Sequence, residues 1–288
     1  MNIDVSIVNA FVVDGRGGNP AGVVLDADRF SKEQKLEIAA QVGLSETAFV
    51  SHSDVADIKL EFFTPTRQIA HCGHATVATF SYLSQQGLLK NSESSKETID
   101  GNRAVKLVSG AAFMEQIAPM FVSVNKDREE VLAALNIAET KLSSEPLIVN
   151  TGNSFLIAEV DSQSALEQLN INQEKVEALS EKYDLIGFYI FSRESYTGTA
   201  DATARMFAPR YGIEEESATG MAAGPLACYL YEKKAIDKSE FLIEQGYAMS
   251  PASPSQITVK LELHQGGIQS LMAGGHAAVS ETRSLNVQ

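Results

Sequence analysis

The chain has 288 residues, 44% of them hydrophobic, which suits a globular protein with room for two domains of ordinary size. Its 23 Lys and Arg against 37 Asp and Glu leave a formal net charge of −14, and with no basic stripe in view nucleic acid is excluded as a partner. Two cysteines, Cys72 and Cys228, are too few for a disulfide scaffold or a Cys-rich zinc module.

In chain order, Val5, Ile7 and Ala10 to Val13 read as a first strand, followed by a glycine-rich turn and a returning strand at Val23 to Leu25. Ser31-Lys-Glu-Gln34 is a capping box that opens a helix running to Val42, with Gly43 placed to stop it. Leu44 to Val50 reads as a mostly apolar strand with Glu46 as its only acid, and Ile58, Leu60 and Phe62 alternate with polar residues as the next strand. A helix is expected over 74–86, strand-like text from Thr98 to Val124, and a helix from Lys126 to Leu135. A second hairpin follows at 147–160, then helical stretches at 164–169 and 172–182, a strand at 185–191 and a helix from Thr219 to Lys233. A strand-rich tail ends the chain. Nothing approaches the roughly 20 apolar residues of a spanning helix, and the N-terminus lacks the pattern of a signal peptide, so a cytoplasmic protein that engages no membrane is expected.

The order of elements repeats. Gly18-Asn-Pro-Ala-Gly-Val-Val24 resembles Gly152-Asn-Ser-Phe-Leu-Ile-Ala158, and Phe63-Thr-Pro65 resembles Phe207-Ala-Pro209. Gly73-His-Ala-Thr76 matches Ser217-Ala-Thr-Gly220 at the start of a helix in each half. Two similar domains are therefore expected, residues 1–118 and 119–269, facing each other across a cleft. Two helix N-termini would meet there, their N–H groups and partial positive charge available to a carboxylate. Gly73, Thr76, Thr219 and Gly220 permit the close backbone approach this needs, although small residues at such places also serve helix packing.

Glu46 is the strongest candidate for chemistry. Burial would disfavour its charged form and raise its pKa towards working pH, as a general base requires. Aligning Ala48-Phe-Val-Ser51 with Tyr189-Ile-Phe-Ser192 sets Gly187 opposite Glu46, so only one half carries the acid. His71, Cys72 and His74 resemble a metal cluster, but zinc needs three or four ligands and no second Cys or His cluster completes the set. His74 beside a helix start is better suited to donate a proton or a polar contact. Glu214-Glu-Glu216 reads as a solvated acidic run from which one member could point inward.

Seven motifs in order, Gly18-Asn-Pro-Ala-Gly22, Leu44-Ser-Glu-Thr-Ala-Phe49, Phe62-Phe-Thr-Pro65, Cys72-Gly-His-Ala-Thr76, Arg205-Met-Phe-Ala-Pro209, Ala218-Thr-Gly220 and Glu244-Gln-Gly246, resemble the PhzF family of phenazine-biosynthesis-like isomerases, whose fold is shared with diaminopimelate epimerase. The resemblance implies an α+β fold of two pseudo-symmetric domains, each a mixed barrel-like sheet around a central helix, with the tail near 270–288 returning to the first. It implies that Glu46 shuttles a proton between carbons of a small carboxylate-bearing metabolite, without metal or organic cofactor, with His74 and Glu216 assisting and homodimers common. The implied substrate contacts are Asn19, Gly73, Ala75, Thr76, Thr219, Gly220 and Met221.

Where the phenazine enzymes read Asp-Pro-Ala-Thr-Gly-Ser, this chain reads Glu216-Ser-Ala-Thr-Gly-Met221, with a longer acid at 216 and the hydroxyl lost at 221. Those changes motivate a rival reading, a metabolite-binding protein that has lost its chemistry. A second rival is a two-thiol racemase with Cys72 at the first position. The second half offers Ser217 or its neighbours instead of a thiol, and Cys228 falls two helical turns too late.

Overall fold

The structure is a computed structural model that describes residues 1–89, 91–99 and 101–287. The chain divides into two compact units, Met1–Glu115 together with Gly274–Gln288, and Gln116–Ala273. In chain order the elements are β1 (Asn2–Ala10), β2 (Asn19–Val24), α1 (Lys32–Val42), β3 (Thr47–Ser51), β4 (Ile58–Phe63), β5 (Gln68–Ile69), α2 (Gly73–Gln85), β6 (Glu93–Thr98), β7 (Gly101–Val108), β8 (Ala111–Ile117), β9 (Met120–Ser123) and α3 (Arg128–Leu135). They continue as β10 (Leu147–Asn150), β11 (Ser154–Glu159), α4 (Gln163–Glu167), α5 (Gln173–Tyr183), β12 (Gly187–Ser192), β13 (Ala202–Ala208), β14 (Ile213–Glu216), α6 (Gly220–Lys233), β15 (Glu240–Gln245), β16 (Ser255–His264), β17 (Gly267–Gly275) and β18 (Ala277–Asn286).

The first unit carries a mixed sheet. β18 runs antiparallel to β1, β1 to β2, β3 to β4 and β6 to β7, whereas β2 is parallel to β3 and β4 to β6. Parallel neighbours cannot be joined by a tight turn. Here α1 makes the first crossover and α2 the second. The second unit follows the same plan: β9, β10 and β11 are antiparallel, β11 is parallel to β12, β12 antiparallel to β13, β13 parallel to β15, and β15 antiparallel to β16. α4 and α5 make its first crossover and α6 its second.

The second crossover helix of each unit is the central one. Residues 73–81 of α2 are all buried, and the helix packs on β1, β2, β3, β7 and β18. α6 packs in the same way on β10, β11 and β16. A helix that is apolar on nearly every side is one enclosed by its sheet. The other face of the first sheet is closed by α1, through a core that includes Val5, Phe49, Phe63, Ile38 and Val42. α3, α4 and α5 close the other face in the second unit, with Val131, Leu166, Leu179, Leu156 and Phe188 in that core. The capping box at Ser31 is formed in both directions, and Gly43 takes the left-handed conformation at φ 68° that ends α1. Among the described residues no helix is long and apolar enough to cross a membrane.

Strand register defines the repeat residue by residue. Thr47 lies opposite Phe63 in the first unit and Phe188 opposite Phe207 in the second. Gly22 faces Thr47 just as Leu156 faces Phe188. Superposing Phe63 on Phe207 therefore puts Glu46 at Gly187. The helix starts need a correction to the sequence match, because α2 is capped by Cys72 and α6 by Thr219. Cys72 follows Phe63 by nine positions and Thr219 follows Phe207 by twelve. A 3-10 turn at Pro209–Tyr211, closed by Gly212 at φ 74°, takes up the difference. His74 thus corresponds to Met221, Thr76 to Ala223 and His71 to Ala218.

Gly187 has no room for a side chain, since a Cβ there would sit 2.2 Å from the Phe207 carbonyl oxygen. Gly187→Ala is expected to destabilise the fold by about 1–3 kcal/mol through overpacking. Urea unfolding would measure this, and an unchanged midpoint would refute the close approach.

Candidate active site

Three side chains converge at the start of α2. Glu46 stands just before β3 rather than inside a strand, and its carbonyl accepts the Gly22 N–H at 3.1 Å, the first rung of the β2–β3 pairing. Its carboxylate is 12% exposed and its Oε2 lies 3.3 Å from His74 Nε2. The His74 side chain is 4% exposed, and its other ring nitrogen, Nδ1, faces Cys72 Sγ at 3.6 Å. Burial pushes the Cys72 thiol up from its usual range, against the pull of His74, while the nearby Glu46 adds to the rise. The roles in that contact depend on the imidazole tautomer: with the ring proton on Nε2, Nδ1 accepts the thiol hydrogen and the protonated nitrogen is the one nearer Glu46.

Ligand atoms of Glu46, Cys72 and His74 all lie within 4.8 Å of one another, so Glu46 supplies a third donor that the local spacing did not reveal. The imidazole stands between the other two, however, with one ring nitrogen towards the thiol and the other towards the carboxylate. Thiol, imidazole and carboxylate form a row of three donors, one short of a closed tetrahedral zinc site, and no fourth described Cys, His, Asp or Glu joins the group.

Around this row Gly73 and Ala75 occupy the first turn of α2, where backbone N–H groups have no partner within the helix. Thr76 is fully buried and its hydroxyl donates to the Cys72 carbonyl at 2.6 Å. Asn19 is buried at the start of β2. In the repeat it corresponds to Asn153, whose amide donates to Met221 Sδ at 3.5 Å. Asn19 and His74 are thus the repeat counterparts of Asn153 and Met221.

The second unit gathers a different set at the start of α6. The acidic run divides: Glu215 forms a two-pronged pair with Arg205, Nε–Oε1 at 2.9 Å and Nη2–Oε2 at 2.7 Å, while Glu216 turns to accept the Thr219 hydroxyl. Gln245 organises this end. Its amide nitrogen donates to the Glu216 carbonyl at 2.6 Å and to Thr219 Oγ1 at 3.2 Å. Its amide oxygen accepts from Tyr189 Oη at 2.9 Å and from Thr219 N–H at 3.0 Å. Burial, then the Glu216 charge, push the Tyr189 phenol well above its usual range, so it remains a donor. Gly220 and Met221 form the first turn of the helix.

The structure thus brings Glu46 and His74 together, and separately Glu216, Thr219, Gly220 and Met221. Sequence reasoning missed Gln245, Tyr189 and the contact of Cys72 with His74. The Glu244-Gln-Gly246 motif held the first of these, and the strand register that places it opposite Ala204 is what connects it to Thr219.

Residues 8–283 match the family model described as phenazine biosynthesis-like protein. An uncharacterised isomerase of Bacillus subtilis (strain 168) is 30% identical over 287 residues, covering 96% of this chain and 97% of that protein. A trans-2,3-dihydro-3-hydroxyanthranilate isomerase of Pseudomonas chlororaphis is 32% identical over 231 residues, 78% of each chain. The crystal structure of a PhzF-family phenazine biosynthesis protein of Bacillus anthracis superposes at a TM-score of 0.90 with 27% identity, covering 99% of both chains. The motifs, the doubled α+β fold and these relatives agree, and the chain belongs to the phenazine biosynthesis-like family of isomerases.

Proposed function

We propose that this isomerase moves a proton between two carbons of a small carboxylate-bearing metabolite, with Glu46 as the group that removes and returns it. The observation that supports this reading is the contact of Glu46 with His74 at 3.3 Å, in a unit whose repeat has Gly187 and Met221 at the same two positions. A single carboxylate suits a transfer in which one group takes the proton from one carbon and gives it to the other. In the first step the C–H bond breaks, its proton passes to Glu46, and the electron pair is delocalised towards the substrate carboxylate. In the second the proton forms a C–H bond at the other carbon and the carboxylate of Glu46 is restored. His74, 3.3 Å from Glu46, holds the carboxylate in place between the two steps.

The helix start at Gly73–Ala75 provides N–H groups and partial positive charge suited to the charge that builds up on the substrate carboxylate. Asn19 is assigned a contact to the same substrate, and Glu216 with Thr219, Gly220 and Met221 a role in orienting it. A two-thiol racemase is disfavoured because Thr219, not a cysteine, is the repeat partner of Cys72. The shorter acid and the serine of the phenazine enzymes are replaced here by Glu216 and Met221, which supports a substrate other than the phenazine precursor.

Proton transfer of this kind contributes about 10²–10⁴ in rate. In heavy water, wild type is expected to catalyse deuterium incorporation into one or more of a panel of small unsaturated, amino and hydroxy acids, and Glu46→Gln to lose it by that factor. Exchange that persists unchanged in the variant would remove Glu46 from its role. Both thiols are raised, Cys72 by burial and Cys228 by burial to about 12, and a raised pKa leaves little thiolate at pH 8. Iodoacetamide at that pH is expected to modify neither cysteine until denaturant is added. Rapid alkylation with loss of exchange would favour the racemase.

A further inference from the structure

A second layer of polar side chains lies behind the Glu46–His74 pair. Lys96 on β6 is fully buried. Its Nζ donates to Thr76 Oγ1 at 2.6 Å, lies 3.4 Å from His71 Nδ1 and 4.0 Å from Met114 Sδ, and sits 5.1 Å from the centroid of the Phe62 ring. An ammonium group only donates, so Thr76 Oγ1 accepts from Lys96 and spends its single proton on the Cys72 carbonyl. Cys72 caps α2, and its thiol faces the imidazole that touches Glu46. A continuous path therefore runs from Lys96 through Thr76 and Cys72 to His74.

The repeat shows that the fold does not require this path. Ile58 pairs with Lys96 in the first unit, and Ala202, its counterpart, pairs with Ile243 in the second. Lys96 thus corresponds to Ile243, Thr76 to Ala223 and His71 to Ala218. All three counterparts are buried and apolar. Burying an ammonium is costly in a place where isoleucine serves the same sheet and helix. The polar set occurs only in the unit that also carries Glu46 and His74.

We propose that Lys96 is a positioning residue of the isomerase, which through Thr76 holds the first turn of α2 so that His74 presents a single tautomer to Glu46. The reaction it serves is the one proposed above, but the ordering of His74 can be tested without any substrate.

The experiment is NMR of protein labelled with ¹⁵N-histidine, His74 being assigned with His74→Gln, in wild type, Lys96→Met, Thr76→Ala and Thr76→Ser. Wild type and Thr76→Ser, which keeps both hydrogen bonds, are expected to show His74 as one Nε2–H tautomer. Lys96→Met and Thr76→Ala are expected to move both ring-nitrogen shifts towards the average of the two tautomers. With a substrate from the exchange panel, kcat should fall about 10- to 100-fold in those two variants, with KM little changed, as small misplacements of reacting groups do. Thr76→Ala restores the residue of the repeat, so it decides the matter if Lys96→Met does not fold. Unchanged His74 shifts in a folded Thr76→Ala or Lys96→Met protein would overturn the proposal, even if Glu46 proves essential. Altered shifts with no exchange in any protein would leave Lys96 in its place and count against the proton-transfer reading instead.

Discussion

The backbone hydrogen bond from Gly22 N–H to the Glu46 carbonyl determines where the only acid of the Leu44–Val50 stretch stands. It is the first rung of the parallel pairing of β2 and β3 and fixes the backbone at Glu46, whose side chain meets His74 at the start of α2. The pairing depends on a glycine: a Cβ on Gly22 would come within 2.9 Å of Thr47 Oγ1, and Thr47 is fully buried. A small residue on β2 thus allows the close approach that holds Glu46 in place just before β3.

The same plan built twice gives two different ends. In the first unit the helix start is surrounded by polar groups: Glu46, His74, the Cys72 thiol, Thr76 and Lys96. In the second the corresponding positions hold Gly187, Met221, Thr219, Ala223 and Ile243, and polarity comes from elsewhere, through Gln245, Tyr189 and Glu216. Gly187 cannot be replaced by an acid without displacing the Phe207 carbonyl. Packing, and not only chemistry, therefore keeps the two units unlike at this point.

Buried polar groups in such a fold are costly unless they are linked to one another. Thr76 illustrates how that is met, since its hydroxyl accepts from Lys96 and donates to Cys72. Gln245 does the same for the second helix by bonding both its amide atoms. Each network fixes a helix N-terminus, the element whose N–H groups and dipole are useful to an anionic ligand.

The sequence by itself determined the repeat and the family and singled out Glu46 as a candidate, because these rest on local patterns: Phe-x-Pro loops, glycine beside threonine, a lone acid in a mostly apolar run. α1 was legible to its capping residues, since Ser31, Gln34 and Gly43 act on their immediate neighbours. The short strands β5 and β14 were not, being defined by pairing with β4 and β13 rather than by their own composition. For the same reason the helix starts were matched three residues out of register, a loop insertion being invisible until the strands on either side are paired. Only the tertiary structure decided that Cys72 faces His74, that Lys96 lies under Thr76 and that Gln245 ties Thr219 to Glu216. Cys72 and His74 are two positions apart and meet only through the turn that opens α2; the other contacts join residues 20, 26 and 29 positions apart on different elements, and no periodicity in the chain encodes a distance that the sheet sets.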